Sequence, residues 1–116
     1  MNTEFDLYVA GSVLKLRDGD TATVGFVEAS AEFVIIRVRF SSFTAMRKYA
    51  STTTLQVEDA LLPWENSTSG SGPLAPVAEM VFHGSIPAGV RQITLNLQPI
   101  GEELTSQQLS LRPVAG

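Results

Sequence analysis

Between Val90 and Gln98 the apolar residues Ile93, Leu95 and Leu97 alternate without exception with Gln92, Thr94, Asn96 and Gln98, the two-residue period of a strand with one buried and one wet face. The run from Gln107 to Pro113 repeats the pattern, with Leu109 and Leu111 set against Gln108, Ser110 and Arg112, after a break at Pro99, Gly101, Glu102 and Glu103. Two alternating runs around such a break predict a hairpin. Leu104 has the opposite parity to Leu109 and Leu111, so a bulge near Thr105 to Gln107 is expected if all three are buried.

Earlier in the chain, Phe5, Leu7 and Val9 against Asp6 and Tyr8 read as a first strand that Gly11 interrupts. Ser12 to Arg17, with Leu14 and Leu16 inward, runs into a turn at Asp18, Gly19 and Asp20. Thr21 to Val27 follows, with Ala22, Val24 and Phe26 expected inside. Phe33 to Phe40 is rich in β-branched and aromatic residues. Its face of Val34, Ile36, Val38 and Phe40 is wholly apolar, whereas the opposite face starts with Phe33 and Ile35 and ends with Arg37 and Arg39. The period then changes: Phe43, Met46 and Tyr49 recur at helical spacing behind Ser41 and Ser42, either of which suits an N-cap, predicting a short helix over 43–49. Thr53 to Val57 returns to a strand. Residues 65–76, built of Ser, Gly and Pro with few apolar side chains, predict a flexible loop. Val77 to Gly84 then resumes as a strand with Met80 and Phe82 inward and Glu79, Val81 and His83 outward.

Seven or eight short strands, turn signals between them and no strand-helix alternation predict an all-β fold, an antiparallel β-sandwich. The closing segment of about 35 residues, an apolar strand, a corner at Pro87, Ala88 and Gly89, an alternating strand, a Gly-containing turn and a last strand with Leu at alternate positions, resembles the end of immunoglobulin-like or fibronectin-like modules. The resemblance implies a fold and brings no functional residues. A length of 116 residues is one domain's worth, 1–116, and 44% hydrophobic against 17% charged residues suits a single packed core.

Charge and cysteine narrow the chemistry. The chain has a net charge of −4 and only eight Lys and Arg, so a phosphate backbone is repelled on average and a nucleic-acid partner is not expected. Without cysteine there is no disulfide framework and no thiolate metal site. The opening residues Asn2, Thr3, Glu4, Phe5 and Asp6 lack the basic and long apolar regions of a secretory signal, and no run reaches membrane-spanning length. A soluble chain is expected, with its compartment open and no membrane partner.

Catalysis needs a nucleophile, a base and an orienting group in contact. The single imidazole, His83, shares a strand face with Glu79 and Ser85, but same-face neighbours in one strand stand about 7 Å apart, so no enzyme is expected. Asp18 and Asp20 around Gly19 read first as a turn, and no metal or other cofactor is expected. Asn66, Ser67 and Thr68 match a glycosylation acceptor, which without a signal sequence is read as chance. Arg37, Arg39, Arg47 and Lys48 form a candidate basic patch on an acidic protein. Trp64, the single tryptophan, reads as a core plug or a stacking platform.

These observations favour a non-catalytic interaction or assembly module. Its candidate binding residues are Phe33, Ile35, Arg37, Arg39 and Trp64, and its partner is another protein or a second copy, met by a sheet face or an edge strand. Uncharged Thr- and Gln-rich outer faces suit side-chain pairing, and an unprotected edge accepts another strand. The alternative is a lectin-like sandwich that binds carbohydrate at Trp64, Tyr49 or the turn from Asp18 to Asp20.

Overall fold

The computed structural model describes residues 6–16, 19–49, 53–62, 64–72, 75–97 and 105–114, and at 64–72, 75 and 105 the backbone alone. Its elements in chain order are β1 (Asp6–Lys15), β2 (Thr21–Ala29), β3 (Phe33–Phe40), α1 (Phe43–Tyr49), β4 (Thr53–Val57), β5 (Ala60–Leu62), β6 (Trp64–Gly72), β7 (Ala75–His83), β8 (Gln92–Leu97), β9 (Thr105–Ser110) and β10 (Arg112–Pro113). The fold is all-β, with two antiparallel sheets: six strands in the order β10-β1-β2-β3-β7-β6, and four in the order β5-β4-β8-β9. None of the described helices is long and apolar enough to cross a membrane.

The alternation explains the interior. Val34, Ile36, Val38 and Phe40 of β3, Met80 and Phe82 of β7, and Ile93, Leu95 and Leu97 of β8 are all buried, and residues of both sheets join one apolar cluster. Each such side chain contributes about 1.5–3 kcal/mol when removed from water. The helix is where its spacing predicts. The Ala45 N–H donates to Ser42 Oγ at 3.0 Å, making Ser42 the N-cap. Met46 and Tyr49 turn inward, while Phe43 stays exposed. Buried Thr53 donates its hydroxyl to the Tyr49 carbonyl at 2.8 Å, which satisfies an orphan acceptor at the helix end.

Four sequence expectations are corrected. In β1 the two buried residues are Tyr8 and Leu14, while Leu7 and Val13 are exposed, and a single strand runs through Gly11. Tyr8 stands opposite buried Val27 of β2 and Leu14 opposite buried Ala22, and these pairings set the phase. In β2 the phase changes midway. Val24 pairs with Val38 but Val27 pairs with Ile36, so β2 holds an extra residue around Gly25 and Phe26. Val27 is therefore fully buried, and Phe26 points out at 55% exposure. Opposite this irregularity β1 carries its own extra residue between Val9 and Ser12, where Gly11 takes a φ of 57°.

The third correction concerns residues 65–76, where a loop is expected. The backbone of 64–72 is strand β6, antiparallel to β7, with only 73–74 of the connection outside the described residues. Backbone ladder bonds do not require apolar side chains, so a Ser- and Gly-rich edge strand escapes hydrophobic periodicity. The ladder from Leu97–Thr105 to Gln92–Ser110 is unbroken, and Leu104, on whose burial the bulge near Thr105 to Gln107 depends, lies outside the described residues. The fourth correction is the final strand, which changes sheets. Leu111 donates its N–H to Arg91 at 2.7 Å beside β8, after which Arg112 and Pro113 pair with Val9 and Tyr8 of β1.

Candidate functional site

The six-stranded sheet turns one face toward the core and the other outward. On the outward face Leu7, Glu28, Ile35 and Val81 stand in register across β1, β2, β3 and β7. A parallel row holds Val13, Thr23, Arg39 and Val77. Between them lie Val9 paired with Phe26, and Arg37 paired with Glu79. Phe33 and His83 close one end, their rings edge to face at 5.5 Å between centroids.

The β2 irregularity makes this face apolar at its centre. Leu7, Val13 and Phe26 are three of the large hydrophobic side chains left exposed, Val13 at 60%. Around Phe26 the surface dips into an open depression of about 610 Å³, bordered by Leu7, Ile35 and Val77 with the stems of Arg37 and Arg39. Single exposed apolar residues are normal, but a contiguous group ringed by polar side chains marks an interaction site.

Its charges are mixed. Arg37 donates to Glu79 at 2.8 Å. That hydrogen bond first, and the charge of Glu79 second, hold the guanidinium pKa above its ordinary value. The pair is solvated, so its contribution to stability is small, about 0–1 kcal/mol. Lys15 and Arg39 add positive charge, and Glu28 adds negative charge beside Arg37.

The face brings together four of the five residues singled out from the sequence. Phe33 and Ile35 are half-buried; Arg37 and Arg39 are exposed. Trp64 pairs in register with Phe82 at the sheet edge, and its side chain lies outside the described residues. The expected basic patch does not gather around the depression: Arg37 and Arg39 border it, whereas Arg47 and Lys48 lie in the last turn of α1. Phe26, Leu7, Val77 and Val81 were not singled out. Gly25 was the available signal, because a glycine inside a strand marks a bulge, and a bulge reverses the side chains beyond it.

The other candidates take structural positions. Tyr49 is buried and stacked on Phe40 at 6.5 Å, closed to a sugar. Asp20 accepts a hydrogen bond from the Ser41 hydroxyl at 2.8 Å, and Ser41 Oγ accepts the Thr21 N–H at 2.9 Å, which ties the β1–β2 turn to the end of β3. Asp18 lies outside the described residues. Glu79 is engaged by Arg37, and Ser85 follows the end of β7 beyond Gly84, whose φ is 148°. Asn66, Ser67 and Thr68 are in the backbone of β6, their side chains outside the described residues. Comparison with protein-family models, with curated proteins and with solved structures finds no match to this chain.

Proposed function

We propose that the chain is a non-catalytic assembly module and that the outward face of its six-stranded sheet docks onto the same face of a second copy. One observation carries the reading: Phe26, a large aromatic in a strand, is 55% exposed at the centre of an apolar cluster. Burying that cluster is the largest favourable term available to this surface.

Charge favours a second copy as the occupant. The whole chain carries −4, so two copies repel on average. This face bears Lys15, Arg37 and Arg39 against Glu28 and Glu79, and it presents both signs to its own image. Area sets the strength of the contact. Strand spacing of about 4.8 Å and a same-face repeat of about 6.8 Å give roughly 400 Å² of flat face per copy over the four strands and three rows described above. Two copies then cover on the order of 800 Å² of flat face, the size of a weak and reversible contact rather than of a permanent one. Two-fold pairing of identical patches is the commonest form of assembly.

As architecture, the reading takes the two sheets as layers of a sandwich. The strand order departs from the immunoglobulin arrangement, which divides its second and third strands between sheets; here β2 and β3 are hydrogen-bonded neighbours. Sedimentation velocity over a concentration series tests the function, with Phe26→Asp as the perturbation. Wild type is expected to self-associate, and the variant, still folded by circular dichroism, to lose that contact. A wild type that stays monomeric at every concentration, or association indifferent to Phe26→Asp, refutes the reading. A monomer whose melting temperature rises with a sugar or with calcium supports carbohydrate binding instead.

A further inference from the structure

A second surface for self-association lies at the edge of the four-stranded sheet, and we infer that β9 pairs antiparallel with β9 of another copy. Natural sheets protect their edges with short strands, prolines, charges or bulges. β5 has three residues, β10 has two and includes Pro113, and β6 carries a register shift between Trp64 and Asn66. β9 has none of these devices. Its six residues, Thr-Ser-Gln-Gln-Leu-Ser, contain no charge and no proline and pair with β8 without a shift.

The hydrogen-bond phase shows which backbone groups turn away from β8. The Leu111 N–H bonds to the Arg91 carbonyl, and the register continues through Leu109–Ile93 and Gln107–Leu95. In an antiparallel ladder bonded and non-bonded pairs alternate. Leu109, Gln107 and Thr105 thus direct their N–H and C=O groups at β8, while Ser106, Gln108 and Ser110 direct theirs at the open edge. The Gln107 side chain reaches the Gln108 carbonyl at 3.4 Å, a long contact consistent with that carbonyl pointing outward.

A two-fold axis perpendicular to the sheet at Gln108 makes these groups mutually complementary. Gln108 then faces Gln108 of the second copy, and Ser106 faces Ser110 on either side. Each facing pair exchanges two bonds, roughly six in all, and side chains on each face of the sheet stay aligned. Gln108 already donates to Gln92 Oε1 at 3.0 Å, so the amide row of one sheet continues into the next. No like charges meet across the seam, which matters for copies of an acidic chain.

Two substitutions test this contact apart from the face around Phe26. Gln108→Pro removes an edge-directed N–H and spares the ladder with β8, so the fold is expected to persist by circular dichroism while the edge contact is lost. In the Phe26→Asp background, Gln108→Cys is expected to form a disulfide-linked dimer under mild oxidation, because bonded antiparallel partners stand about 5.5 Å apart, within disulfide range. Gln56→Cys, on β4 away from the edge, serves as the control. With both contacts real, wild type exceeds a dimer by sedimentation, either single variant stops at a dimer, and the Phe26→Asp, Gln108→Pro double variant is a monomer. Phe26→Asp alone giving a monomer, or Gln56→Cys cross-linking as fast as Gln108→Cys, overturns the edge pairing and leaves the face reading standing. Gln108→Pro alone giving a monomer upholds the edge and refutes the face.

Discussion

Removing one side chain on each side of the β2 irregularity measures where the strand changes phase. With uninterrupted alternation Phe26 lies in the core, and Phe26→Ala costs about 3–5 kcal/mol. In the structure Phe26 is 55% exposed and Val27 is 0% exposed. Less than half of the phenyl group is then removed from water on folding, and its full burial is worth about 1.5–3 kcal/mol, so Phe26→Ala is expected to cost about 1 kcal/mol. Val27→Ala deletes two buried methyl groups at about 0.8 kcal/mol each and leaves a cavity, for about 1.5–3 kcal/mol. The order of the two costs is therefore inverted relative to simple alternation. Urea unfolding followed by circular dichroism reads both, at dilution low enough that self-association adds nothing and with unchanged m-values as the check for two-state behaviour. Phe26→Ala above about 3 kcal/mol together with Val27→Ala below about 0.5 kcal/mol would refute the extra residue at Gly25. It would also remove the centre of the proposed docking face.

Two further outcomes probe the backbone. Gly84 has a φ of 148°, and a Cβ added there overlaps the Leu62 side chain, so Gly84→Ala is expected to lower stability by about 1–3 kcal/mol in the same urea assay; an unchanged midpoint refutes the close approach of β5 to this turn. Glu58, between β4 and β5, has a φ of 53° without being glycine. Since Asn tolerates that region better, Glu58→Asn is expected to raise the melting temperature, by up to about 1 kcal/mol of stability, and a fall in melting temperature counts against the turn geometry.

Much of the candidate face was legible from β3 alone. Phe33, Ile35, Arg37 and Arg39 alternate with four buried residues, and strand, face and burial follow from that one run. Phe26 and Leu7 were not legible in the same way. Phe26 lies between Gly25 and Val27, which fit either face, and Leu7 alternates with Asp6 in a pattern that points it inward, so in both cases the outcome depends on a partner strand distant in sequence. β6 is the opposite case: its backbone pairs with β7 although its sequence offers little hydrophobic contrast to read.

By itself the sequence determined what depends on near neighbours: extended backbone wherever polarity alternates, a short helix where the spacing lengthens to three and four, and a core built from the regular apolar positions. Tertiary structure alone decided the phase of β1 and β2, the capture of β6 as an edge, and the passage of the last strand from one sheet to the other. The physical reason is that a strand's hydrogen bonds are made to another segment. Which residues lie inward across a bulge, and which edge stays open, are properties of a pair of strands, while a sequence pattern reports on one strand at a time.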